Sequence, residues 1–352
     1  MTRTLHVAHS PGERRFAVAE GDGLLHYEVA RPGRPDRVEE VSRARVEALA
    51  AAQKGAFLRL PGDALAFLPG KALPRGTKLV QGQTLCVRIS RAAIGGKGLR
   101  VVAKGVEQTA GPAPAVLHAS PDVEARLRRD FAPASVLRAE KFPAAIDDTV
   151  ATLADPDVAL PGGGRIRVWP TPALVAIDVD AGGATAAAAN ALAVAAVAGA
   201  IVLRNLSGVI HIDFAGLDSR AQKTAMAATL RDALAGDPLR AEVTGHSPAG
   251  LVEVVRARVR PPLHEVLGTA NAPWSPTAET VALGALRQAL IEALADPMLR
   301  PSIRAHAAVI TALRGLPQAL AEFSARAGGP PMLVDDATLP FDAPLIETAR
   351  HG

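Results

Sequence analysis

Val175-Ala176-Ile177-Asp178-Val179-Asp180 and Val209-Ile210-His211-Ile212-Asp213-Phe214 are two short apolar runs, each carrying carboxylates at or near its end. Between them lies an Ala-rich apolar stretch, 184–203. The pattern reads as strand (173–179), helix (about 184–204), strand (208–214), and such a crossover implies parallel, right-handed pairing. It brings Asp178 and Asp213 to the carboxyl end of one sheet, where open α/β folds place their ligands. Asp178 and Asp180 are two apart and leave the same face of a strand. Two carboxylates about 5 Å apart repel by roughly 3 kcal/mol at an effective dielectric near 20, and a divalent cation relieves that repulsion. The trio Asp178, Asp180 and Asp213 is therefore a candidate Mg²⁺ site, with Mn²⁺ as an alternative ion.

The rest of the chain reads outward from this unit. Upstream, Pro161-Gly162-Gly163-Gly164 is a turn before a strand at 165–169, and helical signals dominate 120–155. Short punctuated strands at 43–50, 55–60, 65–68, 84–90 and 99–103 suggest a small barrel, and 13–30 alternates like a hairpin. Downstream, Ser219 caps a helix over 219–235 that Gly236 stops. A strand at 240–244 and a helix or turn over 248–258 follow. Gly268 to Pro276 reads as a linker. A helix to about Ala295, a strand near 302–306, a helix near 308–326 and a strand near 331–335 form a small α/β appendage.

Composition narrows the function classes. The chain has 352 residues, enough for two or three domains. A net charge of +4 permits a polyanionic partner without requiring one. Cys86 is the only cysteine, which excludes an intrachain disulfide and a Cys-rich zinc site and fits a reducing cytoplasm. The N-terminus lacks a signal-peptide core, and strand-like flanks make 184–203 a buried crossover helix rather than a membrane span. No Gly-x-Ser-x-Gly, His-Glu-x-x-His or P-loop occurs, and Gly182-Gly183 lacks the remaining glycines of a dinucleotide turn. His211 reads as a core histidine or as a proton relay beside Asp213.

Several segments, in order, resemble the RNase E/G family of bacterial endoribonucleases. Leu160-Pro161-Gly162-Gly163-Gly164 resembles its L-P-S-G-G, and Ala176-Ile177-Asp178-Val179-Asp180 its A-I-D-[IV]-N. Leu203-Arg204-Asn205-Leu206-Ser207-Gly208, continuing to Phe214, is similar to L-R-D-L-G-G-[IL]-I-V-I-D-F. Gly250-Leu251-Val252-Glu253 with Arg256 and Arg258 is similar to G-L-[LV]-E-M-[ST]-R-x-R. Looser likenesses sit at Gly55-Ala56-Phe57, Ala66-Phe67-Leu68-Pro69 and Gly96-Lys97-Gly98.

The resemblance implies a multi-subdomain α/β fold. Residues 1–33 plus 106–165 would form an RNase H-like subdomain, interrupted by an OB-type RNA-binding barrel over 34–105. An α/β catalytic subdomain over 166–268 and the small C-terminal α/β domain over 277–350 would follow. It further implies a Mg²⁺-dependent endoribonuclease that hydrolyses phosphodiester bonds of single-stranded RNA in RNA processing or decay. Asp178 and Asp213 would hold the metal and act in catalysis, assisted by Asp180, which stands where the family has Asn. Phe57, Phe67, Lys97, Arg256 and Arg258 would bind RNA. The departures are equally specific. There is no room for the family's 5′-end sensor, and its C-P-x-C zinc link is missing, so no zinc and no zinc-linked dimer are expected. Pro248 and Ala249 replace an arginine and an aromatic, and Gly199 and Val202 stand where arginines do. These losses motivate an alternative, an RNA-binding protein of the same fold without cleavage. The oligomeric state is open from sequence.

Overall fold

The computed structural model describes residues 2–21, 23–74, 76–105, 114–269, 275–296 and 298–350. The chain opens on a meander, β1 (Arg3–Ser10), β2 (Glu13–Glu20) and β3 (Gly23–Ala30). β2 and β3 are the expected hairpin; β1 is an addition to it, pairing antiparallel with β2. Then come β4 (Val41–Ala50), β5 (Gly55–Arg59), β6 (Leu65–Pro69), β7 (Thr84–Arg91) and β8 (Leu99–Gly105). They close into a five-stranded barrel in the order β5-β6-β8-β7-β4, with β4 returning to β5. Only β6 and β8 pair in parallel. Alternation does the closing: Val46, Leu58, Leu68, Leu85, Val87, Ile89 and Val101 point inward and are almost fully buried. β9 (Ala115–His118) extends this sheet beside β4.

Next, α1 (Val123–Phe131), β10 (Ser135–Ala139) and α2 (Ala144–Thr152) return the chain to the first sheet. β10 lies parallel to β1, giving the order β10-β1-β2-β3. Asp122 starts α1 by accepting from the Glu124 amide, and Ala132 ends it in the left-handed region. The barrel is thus an insertion between β3 and α1.

The third unit holds β11 (Asp157–Ala159), β12 (Arg165–Pro170), β13 (Val175–Asp180), α3 (Ala186–Leu203), β14 (Gly208–Asp213), α4 (Arg220–Ala233), β15 (Glu242–His246) and β16 (Val252–Arg256). Its sheet runs β11-β12-β13-β14-β16-β15, and β13–β14 is its parallel pair. α3, capped by Thr185, is the one described helix long and apolar enough to cross a membrane by composition. Here Ala193, Val197 and Ile201 are buried against the sheet. α4 begins with a reciprocal Ser219–Gln222 capping box. Of the segment expected as a helix or turn over 248–258, residues 248–250 form a turn and Val252–Arg256 form β16. Val252 and Val254 are buried while Glu253 and Val255 face outward, which is a period of two.

α5 (Leu263–Leu267), β17 (Gly268–Thr269) and β18 (Ser275–Pro276) lead to α6 (Ala278–Ala295), β19 (Leu299–Ala305), α7 (Ala307–Arg314), α8 (Pro317–Ala327), β20 (Met332–Asp335) and β21 (Leu345–Arg350). The helix expected over 308–326 is two helices. Pro317 has no amide proton to continue α7, and it occupies the first turn of α8. Sheet membership also moves residues between the expected units, since 115–118 pair with the barrel and 157–159 with the large sheet. The stretch from Gly105 to Pro114, linker-like in sequence, and the expected linker from Gly268 to Pro276 fall mostly on 106–113 and 270–274, outside the described residues.

Candidate active site and nucleic-acid interface

The large sheet has two unlike faces. Ile166, Val168, Val175, Ile177, Val179, Ile210, Ile212, Val252 and Val254 form a buried layer against α3 and α4. The opposite face is open, and strand alternation puts Asp178 and Asp213 on it, both exposed. They are direct partners on the parallel pair β13–β14, so their backbones lie about 4.8 Å apart. The loop after Asp213 is pinned from behind. Buried Asn190 on α3 donates to the Ala215 carbonyl at 2.7 Å and accepts from the Ala215 amide at 3.0 Å.

Asp180 shares that face but differs in state. Arg165 donates to one of its oxygens at 3.0 Å and the Gly182 amide to the other at 2.9 Å. The Gly182 amide, followed by the charges of Arg165 and Arg167, holds Asp180 below the usual carboxylate range. Arg167 is cross-strand to Asp178 and forms a fork with Asp157 at 2.7 and 3.1 Å. Two of the three expected carboxylates therefore stand together, and the third is already hydrogen-bonded. Among the described residues no group of three or more His, Cys, Asp or Glu side chains is placed to hold a metal ion. The donor set at 178 and 213, two exposed oxygen ligands without soft atoms, suits a hard ion that takes its remaining ligands from water and phosphate.

Phe57 and Phe67 sit on the outside of the barrel, where Ala56, Leu58, Ala66 and Leu68 fill the interior. Their rings are 5.4 Å apart and tilted by 55°. Phe57, Phe67, Arg100 and Arg91 are successive cross-strand partners over β5, β6, β8 and β7, forming one continuous row. Arg91 and Arg100 are additions to the expected set. Burial, and then the positive charges of Arg100 and Arg258, depress the Arg91 guanidinium. Exposed Lys97 closes a turn on Gly95 and Gly96, both with positive φ as a tight hairpin turn requires. That turn is tied to the large-sheet unit, since the Gly95 amide donates to Glu265 at 2.9 Å and the Ala92 amide to the Val259 carbonyl.

Arg258 lies across Gly208 and donates to the Ala173 carbonyl at 3.2 Å. Arg256 does not accompany it. It is 3% exposed, forks onto Asp237 at 2.8 Å twice, and donates to Asn205 and the Leu206 carbonyl. The expected RNA contact at Arg256 is thereby corrected: its inward parity on β16 commits the guanidinium to an internal ion pair. The residues that sequence reasoning missed are Arg165, Arg167 and Trp169, an alternating trio on β12 that faces the aspartates. The signal was their i, i+2 spacing directly after the Gly turn. A cavity of about 690 Å³ lies away from the aspartates and is lined in part by Arg14, Arg126 and Arg260. These arginines are already paired with Asp122, Glu28 and Asp36.

The Ribonuclease E/G family profile matches residues 77–259. Ribonuclease E of Nostoc sp. PCC 7120 is 35% identical over 121 residues, which is 32% of this chain and 18% of that protein. Ribonuclease G of Haemophilus influenzae is 32% identical over 130 residues, 35% of this chain and 26% of the relative. Ribonuclease E of Synechocystis sp. PCC 6803 is 34% identical over 131 residues, 35% of this chain and 19% of the relative. The aligned part of the chain thus spans about a fifth to a quarter of these relatives. The profile match reaches over more than half of the 352 residues and contains Asp178, Asp180 and Asp213, so the chain belongs to the Ribonuclease E/G family.

Proposed function

We propose that the protein is a Mg²⁺-dependent endoribonuclease that cleaves single-stranded RNA, with Asp178 and Asp213 holding the ion. The observation that carries this reading is their pairing in register on the open sheet face. Two carboxylates so close, with no arginine hydrogen-bonded to either among the described contacts, favour a shared cation over mutual repulsion. When bound, the ion would supply a lowered water pKa and charge neutralisation at phosphorus. The chain's own residues do the positioning. Asn190 fixes the loop behind Asp213, the Gly182 amide and Arg165 orient Asp180, and Arg167 offers a positive charge beside Asp178.

In this reading the barrel is OB-type, which its closed five-strand order with one parallel pair supports. Its row Phe57–Phe67–Arg100–Arg91 would receive the strand by stacking and phosphate pairing, with Lys97 and Arg258 beside it. The first sheet, its meander followed by parallel β10, is taken as RNase H-like. We assign β1–β3 with α1, β10 and α2 to that subdomain, β4–β9 to the barrel, β11–β16 to the catalytic unit and α6–β21 to the C-terminal domain. A single cysteine suits a cytoplasmic site of action.

The test uses the full chain, an unstructured RNA and Mg²⁺ or EDTA. Asp178→Asn and Asp213→Asn should each reduce cleavage by at least a hundredfold while RNA binding in EDTA stays within about threefold. Cleavage that survives the double substitution rejects the assignment. One observation favours a second reading, an RNA-binding protein without cleavage: Asp180 carries a charge and is bound by Arg165, where the family pattern has a neutral amide. That reading expects salt-sensitive RNA affinity and no Mg²⁺-dependent scission by the unmodified protein.

A further inference from the structure

The open face of the large sheet is organised in rows. Arg167, Asp178 and Asp213 make one row across β12, β13 and β14. The next row on the same face is Trp169, Ala176, His211 and Glu253. The two rows are two residues apart along the strands, or about 6.7 Å. That is close to the distance between a phosphate and the base of the same nucleotide.

The second row has the shape of a slot. Trp169 is 45% exposed although it is the largest side chain on the face. Its neighbour Ala176 has only a methyl group, so the row dips at β13. His211 rises on the far side, two strands or about 9.6 Å from Trp169 at the backbone. Glu253 stands behind His211, with 3.5 Å between the carboxylate and the imidazole Nε2. An exposed indole on one side, an imidazole on the other and a low floor between them suit a planar heterocycle. The Glu253 carboxylate beside the imidazole offers an acceptor for an amino group. Glutamate accepts from such exocyclic amines.

We infer that Trp169, Ala176, His211 and Glu253 form a nucleobase slot for the nucleotide adjoining the cleaved phosphodiester, and that it selects bases with an exocyclic amino group over uracil. This rests on the reading of Asp178 and Asp213 as the reaction centre. A single RNA strand is the occupant because one nucleotide spans both rows, with its phosphate at the carboxylate row and its base over Ala176. A second copy of this chain has no such reason to match the spacing, and it would bring a second set of carboxylates against the first.

The experiment uses the full chain carrying Trp274→Phe, so that Trp169 is the only tryptophan. Ten-nucleotide RNAs of A, C or U are added in Ca²⁺. We expect saturable quenching of Trp169 emission by the A and C oligomers and tighter binding of these than of the U oligomer. Trp169→Ala should weaken binding of the A oligomer about tenfold, and Trp169→Phe should restore most of it. Glu253→Gln should narrow the difference between A and U. Unchanged Trp169 emission at RNA saturation, or Trp169→Ala binding within twofold, overturns the slot. So does concentration-dependent shielding of Trp169 without RNA, accompanied by a dimer in sedimentation. The two proposals fail separately. Cleavage that persists without Asp178 and Asp213 rejects the reaction centre while quenching upholds the slot. Loss of cleavage in those variants alongside normal Trp169→Ala binding does the reverse.

Discussion

Arg256 and Arg258 are two residues apart and have opposite fates, because strand parity continues only to the end of β16. Residue 256 shares the inward parity of Val252 and Val254 and finds Asp237, while 258 lies beyond the strand and reaches the surface. Burial alone would raise the Asp237 carboxyl, but the Arg256 fork and two backbone amides outweigh it and hold it below its ordinary value. A half-buried group sets a pH dependence that can be measured. Burial, and then the charge of Arg204, push the His264 imidazole down to about 4. Folded His264 is thus neutral at pH 5, whereas in the unfolded chain it titrates near 6.5. Its contribution is fully present above pH 6.5 and is lost as pH falls toward 4, because the unfolded state takes up the proton first. Between pH 7 and pH 5 the loss is about 2 kcal/mol. Urea unfolding at the two pH values should show that drop in the unmodified protein and a smaller one in His264→Gln. An equal drop in both places the titration elsewhere. The aspartates of the candidate site were legible in the sequence because charge interrupting an apolar run needs a reason. The bond from Arg165 to Asp180 was not, since it depends on the antiparallel register of β12 against β13.

At the scale of elements, the strand–helix–strand unit was readable because its strands are short, apolar and separated by an unbroken helix pattern. Five barrel strands were readable from their punctuation. β10 and β21 were not: β10 is an edge strand with four of five residues exposed, so no hydrophobic alternation marks it. β16 was misread because Arg256, Arg258 and Arg260, alternating with apolar residues, suit a strand and a helix alike. The loop after β13 is the element on which the site depends most. Gly182 has φ +58°, and a Cβ there would sit 2.3 Å from the Gly163 carbonyl oxygen, which is backbone and cannot swing away. The Pro161-Gly162-Gly163-Gly164 turn is therefore packed against the loop that orients Asp180. Gly182→Ala should cost at least about 2 kcal/mol in urea unfolding, combining left-handed strain with the clash. It should also lower RNA cleavage by displacing the amide that Asp180 accepts. Gly183→Ala is the matched control, because nothing lies within 4 Å of a Cβ there, and it should change stability by less than about 0.5 kcal/mol. Equal stability of the two variants would show that the turn and loop do not support one another.

At the scale of the whole molecule, the C-terminal unit is seated on the turn between β1 and β2, over sequence separations that no local pattern reveals. Glu13 is 3% exposed and accepts from Arg31 at 3.1 Å and from Arg287 at 2.5 Å. Arg31 is also buried and donates to the Val266 carbonyl and to Thr280, so one carboxylate links the first sheet, α5 and α6. The Gly12 amide donates to Glu322 of α8 at 3.0 Å, and a Cβ on Gly12 would meet the Ala319 methyl at 2.7 Å. Close approach is possible here only because residue 12 lacks a side chain. This docking joins the appendage to the unit that carries the barrel, so loosening it should weaken the fold without touching the aspartates. Glu13→Ala leaves the buried Arg31 and half-buried Arg287 guanidiniums without their shared counter-ion and should cost about 3 kcal/mol. Hydrogen exchange should report the loss first in α6 and β19, while per-molecule RNA cleavage at temperatures where the chain remains folded stays within twofold. Unaltered exchange in α6 would mean that the apolar contact around Gly12, rather than the ion network, holds the unit in place. Gly12→Val would then be the more damaging substitution, because it drives two methyl groups toward Ala319 and Leu283.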